Sequence, residues 1–126
     1  MGTLEKRSPD GKVAIELRYE GEVRFGPMYF SCAPVGFSAD FSELLISENV
    51  EWKPDASSCV MLIFHSLRSD EAPDNELIRV DIESGEIHSI ERNTEGMIRM
   101  GGFDQSGKYS YEVISREQRT PKCAIW

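Results

Sequence analysis

Apolar and polar residues alternate one by one along much of this chain, and that period constrains its fold more than any other feature. In Lys12–Tyr19, the residues Val13, Ile15, Leu17 and Tyr19 fall on one side and Glu16 and Arg18 on the other. Side chains on a strand point alternately to opposite faces, so this spacing predicts a half-buried strand. Glu76–Ile82 repeats it with Ile78, Val80 and Ile82 against Arg79 and Asp81, and Tyr109–Val113 does so again. Cys59-Val60-Met61-Leu62-Ile63-Phe64 is apolar throughout, short and partly β-branched, which predicts a central strand covered on both faces. No window of a dozen residues carries an apolar stripe at helical spacing, while Pro and Gly interrupt the chain often. Short strands between frequent turns predict an all-β, antiparallel protein. The length of 126 residues suits a single domain, 1–126.

Three turns resemble one another: Ser8-Pro9-Asp10-Gly11-Lys12, Lys53-Pro54-Asp55-Ala56-Ser57 and Phe103-Asp104-Gln105-Ser106-Gly107-Lys108. Each precedes an apolar strand. In such turns Pro presets φ, Asp accepts a bond from its own downstream backbone, and Gly takes the left-handed position. The second copy lacks the Gly and the third lacks the Pro. Between the second and third turns the chain fits a four-stranded unit: Asn49–Trp52, Cys59–Leu67, Glu76–Ile82 and Glu86–Ile90. The hairpin Glu83-Ser84-Gly85-Glu86 joins the last two. In the stretch 20–48, strands are expected near Met28–Ala33 and Leu44–Ser47, with a turn at Phe37-Ser38-Ala39-Asp40-Phe41-Ser42.

The turns near 8–12, 53–57 and 103–108, together with the hairpin of residues 75–87, resemble the blades of β-propellers of the TolB and WD-repeat kind. The resemblance covers residues 8–19 and 49–115 and implies diverged, blade-like antiparallel sheets. At ~40–50 residues per blade the chain supplies fewer than three, whereas closed rings need four or more. The expectation is therefore one or two blade-like four-stranded sheets or one long curved sheet, not a closed propeller.

Twenty-two acidic residues face fourteen Lys and Arg, for a net charge of −8. That balance argues against nucleic acid and against anionic membranes, which recruit basic residues, and favours a basic protein partner. The charge is uneven. Residues 40–55 carry net −4 and residues 70–95 net −7, while residues 96–126 carry net +2. Two acidic patches are the candidate partner-binding residues: Asp70, Glu71, Asp74, Glu76, Glu83 and Glu86 in one, Asp40, Glu43 and Glu48 in the other. The loop of residues 68–75 is the leading contact segment, being long and rich in acids. An ordinary solvated rim that discourages edge pairing is the alternative use of the same charges.

Chemical motifs are scarce. His65 and His88 are each followed by Ser, yet Gly-x-Ser-x-Gly, Gly-x-Gly-x-x-Gly and phosphate loops are missing from the sequence. The 23-residue separation of the histidines matches no zinc spacing, and neither do the separations of Cys32, Cys59 and Cys123. No catalytic residue, metal or cofactor is assigned on this basis. With no long apolar run, no apolar stretch behind Lys6 and Arg7, and an odd number of cysteines, a cytoplasmic protein with free thiols is expected. Cys123-Ala124-Ile125-Trp126 has the shape of a prenylation box but ends in an unsuitable Trp, so an apolar tail packed on the body is expected instead.

In size, charge and lack of motif the chain resembles, as a class, the immunity proteins of bacterial toxin systems, including contact-dependent growth inhibition. That resemblance implies a non-enzymatic inhibitor that covers the active site of a basic toxin, such as a nuclease. The alternatives are a propeller-derived adaptor or assembly protein, and an enzyme with an unrecognised site around His65 or His88.

Overall fold

A computed structural model describes residues 3–23, 26–67 and 73–126. It is all-β and antiparallel. The strands are β1 (Thr3–Arg7), β2 (Ala14–Glu22), β3 (Met28–Val35), β4 (Ile46–Trp52), β5 (Ser58–Ser66), β6 (Asp74–Asp81), β7 (Ile87–Asn93), β8 (Gly96–Phe103), β9 (Tyr109–Ser115) and β10 (Gln118–Ala124). β1 to β7 form one seven-stranded sheet in chain order, and β8 to β10 form a separate three-stranded sheet. Neither closes on itself. No helix among the described residues is long and apolar enough to cross a membrane.

The seven-stranded sheet is held together at its middle by a single residue pair, Phe30↔Ile46, between β3 and β4. Residues from both sides of that junction share one buried cluster. Ile15, Leu17 and Phe30 come from β2 and β3; Met61, Ile63, Ile78 and Val80 come from β5 and β6. The sheet therefore folds back, so that β1–β3 lies over one face of β4–β7. The other face of β4–β7 is covered by the small sheet, where Val60, Leu62, Phe64 and Leu77 pack with Ile98, Tyr109 and Tyr111. β5 lies in the middle of these layers. Its residues Ser58 to Phe64 are all buried, which is why its sequence shows no alternation. Cys59 is a fully buried thiol on the first face and Cys32 is partly buried nearby; burial pushes both thiols up to about 12. All three cysteines are free, and Cys123 is exposed.

The recurring turns share one device, an aspartate that caps its own loop. Ser57 donates both its backbone N–H (3.0 Å) and its hydroxyl (2.6 Å) to Asp55 Oδ1. Ser106 does the same to Asp104, and Ser42 to Asp40, so the loop at Asp40 is a further copy. At Asp10 the partners are the Ser8 hydroxyl and the Lys12 N–H. The left-handed position after the aspartate is Gly11 (φ 74°) in the first copy, and in the second Ala56 takes it at φ 63°. Hydrogen bonds from these serines hold the carboxyls of Asp10, Asp40, Asp55 and Asp104 below their usual range. A carboxyl lowered on folding stabilises above its unfolded pKa and loses that contribution as pH falls through the folded value. Unfolding midpoints should therefore decline on acidification below about pH 4, and less steeply in Asp55→Asn or Asp104→Asn proteins. An equal decline in the variants would rule out the turns as the source.

A polar clamp ties the two sheets together. Asn75 in β6 is completely buried. Its amide donates to the carbonyls of Asn93 (3.1 Å) and Gly96 (2.8 Å), and its Oδ1 accepts the N–H of Ile98 (2.8 Å). At the opposite end of the layer, Trp126 packs edge-on against Phe103 at 5.6 Å and donates Nε1–H to Ser58 Oγ at 2.9 Å, so the tail docks through Trp126 while Ile125 and Cys123 stay exposed.

Some boundaries differ from expectation. The strand expected near Leu44–Ser47 and the one expected at Asn49–Trp52 are a single strand, β4, with a register shift between Ile46 and Val50. β7 begins at Ile87, not Glu86, because Glu86 closes the hairpin by accepting the Asp81 N–H. Strands β1, β8 and β10 carry no strong alternation and are additional elements.

Candidate partner-binding surface

The acids singled out from the sequence divide into those with cations beside them and those without. Asp74 and Arg92 face each other at the β6–β7 edge and form a two-pronged pair of 3.0 and 2.8 Å. The Arg92 bond holds the Asp74 carboxyl below its usual range. Glu76 lies 2.8 Å from His65 Nε2 across the β5–β6 ladder. Burial pushes the Glu76 carboxyl up, but hydrogen bonds from Ser89 and His65 outweigh it and hold it low. These two acids spend their charge locally. Asp70 and Glu71 lie outside the described residues.

Asp40, Glu43, Glu48 and Glu83 are exposed and have no cation partner among the described residues. The fold seats the turn that carries Glu83 beside residues 38–39, next to Asp40, and Glu43 lies further along the same segment. The β6–β7 turn carries Glu83 and packs against the segment carrying Asp40 and Glu43. The contact is so close that a Cβ on Gly85 (φ 73°) would sit 2.1 Å from the Ser38 carbonyl oxygen. A glycine is required there both by φ and by space. Asp40 is fixed by the Ser42 bonds, and Glu43 is exposed and holds a left-handed φ of 65°.

Beside these acids is an open groove of about 580 Å³ between β3 and residues 39–45, with Cys32, Pro34, Phe41 and Leu44 in its walls. β3 pairs with β4 only at Phe30. Beyond that residue, no strand among the described residues pairs with β3 on the side away from β2. The groove therefore joins an unpaired strand edge, an apolar floor and a rim of two carboxylates. Unpaired edges of this kind accept extended segments of other chains.

Glu76 receives both His65 and Ser89, so the acid stands between base and hydroxyl, the reverse of a Ser–His–acid relay. His88 lies apart, beside Asp81 and Glu86. Sequence reading named every acid of this surface, but it could not tell which acids are paired. The β3 edge carried no sequence signal, because a strand's missing neighbour is a property of the fold.

No family model matches this chain, and no curated protein or solved structure is significantly similar to it.

Proposed function

We propose that this chain is a non-enzymatic binding protein that neutralises a basic protein, in the manner of a toxin-immunity protein covering a phosphate-handling active site. The observation that supports the reading is that Asp40, Glu43 and Glu83 are exposed and without cation partners among the described residues, with the turn of Glu83 seated beside the segment that carries the other two. Carboxylates held this way project their field outward, where it accelerates and orients the approach of a positively charged surface. The adjacent β3 edge offers main-chain groups to an arriving segment once charge has brought it close.

The test is charge reversal with a partner isolated from cells that make the protein. Asp40→Lys, Glu43→Lys and Glu83→Lys together should slow association about tenfold or more while leaving the fold intact, since surface loop changes cost little stability. Glu95→Lys with Glu117→Lys, far along the chain on exposed positions, is the matched control and should bind like wild type. If the triple variant associates at the wild-type rate, the acids are a solubility device and this reading fails.

A further inference from the structure

On the opposite side of the β6–β7 hairpin from the partner acids, one register places three metal-ligating side chains together. Asp81 and Glu86 close the hairpin as neighbours: the Asp81 N–H donates to the Glu86 carbonyl at 2.9 Å, and the Gly85 N–H donates to the Asp81 carbonyl at 2.8 Å. His88 is two residues beyond Glu86 and pairs with Arg79, which is two residues before Asp81. Arg79 and Asp81, two apart on β6, share a face with His88 across the ladder, and the hairpin closure brings Glu86 beside them. His88 Nε2 lies 3.1 Å from Asp81 Oδ2 and 3.3 Å from Glu86 Oε2. One donor atom from each of the three residues fits within 4.8 Å of the others.

Two observations set this group apart from an ordinary surface ion pair. His88 Nε2 itself has almost no contact with solvent and makes no hydrogen bond, although the side chain as a whole is 38% exposed. Its distances to the two oxygens also match the ligand spacing of a small tetrahedral ion. Ligands at about 2.0–2.1 Å from zinc stand about 3.3 Å from one another. Arg79 Nε lies 3.3 Å from Asp81 Oδ1, the other carboxylate oxygen, which leaves Oδ2 for the ion and steadies the carboxylate from behind.

We propose that Asp81, Glu86 and His88 form a binding site for a divalent transition-metal ion of the zinc class, with one nitrogen and two oxygen ligands and a fourth position open to water. The ligand set fits that class, since imidazole with carboxylates suits zinc and its neighbours, whereas magnesium and calcium prefer all-oxygen shells. The proposal is independent of the partner reading, which rests on Asp40, Glu43 and Glu83; of the acids expected to bind a partner, only Glu86 is shared with this group.

The experiment is a calorimetric titration of the intact protein with zinc chloride, alongside amide NMR spectra. Wild type should show one saturable site, with shifts centred on residues 79–88. His88→Ala and Glu86→Gln should each weaken it by about tenfold or more. Both positions lie on the protein surface, and unchanged spectra elsewhere will show that the fold persists. Cys123→Ser and His65→Ala should bind like wild type, which excludes the exposed thiol and the other histidine. No saturable binding by wild type, or equal binding by His88→Ala, overturns the proposal.

Discussion

Replacing Met61 or Leu62 with alanine is expected to cost about 2–5 kcal/mol each, although the two side chains point in opposite directions. Met61 is fully buried against the β2–β3 side, with Ile15 and Phe30 in its cluster. Leu62 is 4% exposed and belongs to the cluster of Tyr109 and Tyr111 on the other side. Removing either leaves a cavity lined by strands that their own ladders hold apart, so collapse recovers little of the loss. In a sheet with one wet face, consecutive residues would behave very differently, and the outward one would cost under about 0.5 kcal/mol. Urea unfolding measures both, with the slope checked for constancy. A loss under about 1 kcal/mol at either position would mean that β5 has a solvent face.

Asn75→Ala should be nearly as damaging, at about 2–4 kcal/mol. The asparagine bonds two carbonyls and one N–H at the junction of the sheets, and its removal strands the buried Asn93 carbonyl and Ile98 N–H as well as the half-buried Gly96 carbonyl. Asp at this position could still accept from Ile98 but could not donate to Asn93 and Gly96, so Asn75→Asp should not rescue. The damage should appear first in β8: amide exchange of Ile98 should accelerate more than that of β5 residues such as Met61. If Asn75→Ala unfolds like wild type and Ile98 stays protected, apolar packing alone joins the sheets.

The strands that the sequence revealed are those with a dry side. β2, β6 and β9 alternate because one of their faces is more buried than the other, and β5 is continuously apolar because both faces are dry. β10 reads Gln118-Arg119-Thr120-Pro121-Lys122-Cys123-Ala124 and is exposed over nearly its whole length, so no period can mark it. Its Pro121 and flanking charges suit an edge strand instead. β8 is obscured by Gly96, Gly101 and Gly102. At Gly96 and Gly101 an added Cβ would strike the β9 backbone at 1.8 and 2.2 Å, so packing requires residues that hide the strand pattern.

The acidic surface was legible as charge and illegible as geometry. Counting acids cannot show that Asp74 meets Arg92, because that pairing depends on the β6–β7 register and its shift at Leu77 and Ile78. Nor can it bring Glu83 toward Asp40, forty-three positions away, which depends on Gly85 seating against Ser38. The Asp81, Glu86 and His88 group was missed for a related reason. The separation of the two histidines carries no metal signal, whereas the hairpin brings one histidine beside two acids.

The most direct measurement of the functional account is the association rate of the protein with its isolated partner as ionic strength rises. Exposed charges steer at long range and are screened over about 10 Å at 0.1 M salt. The account expects the rate to fall steeply between about 0.01 and 0.15 M salt, with a much flatter dependence when Asp40, Glu43 and Glu83 are all lysine. A wild-type rate that stays level across that range would contradict it.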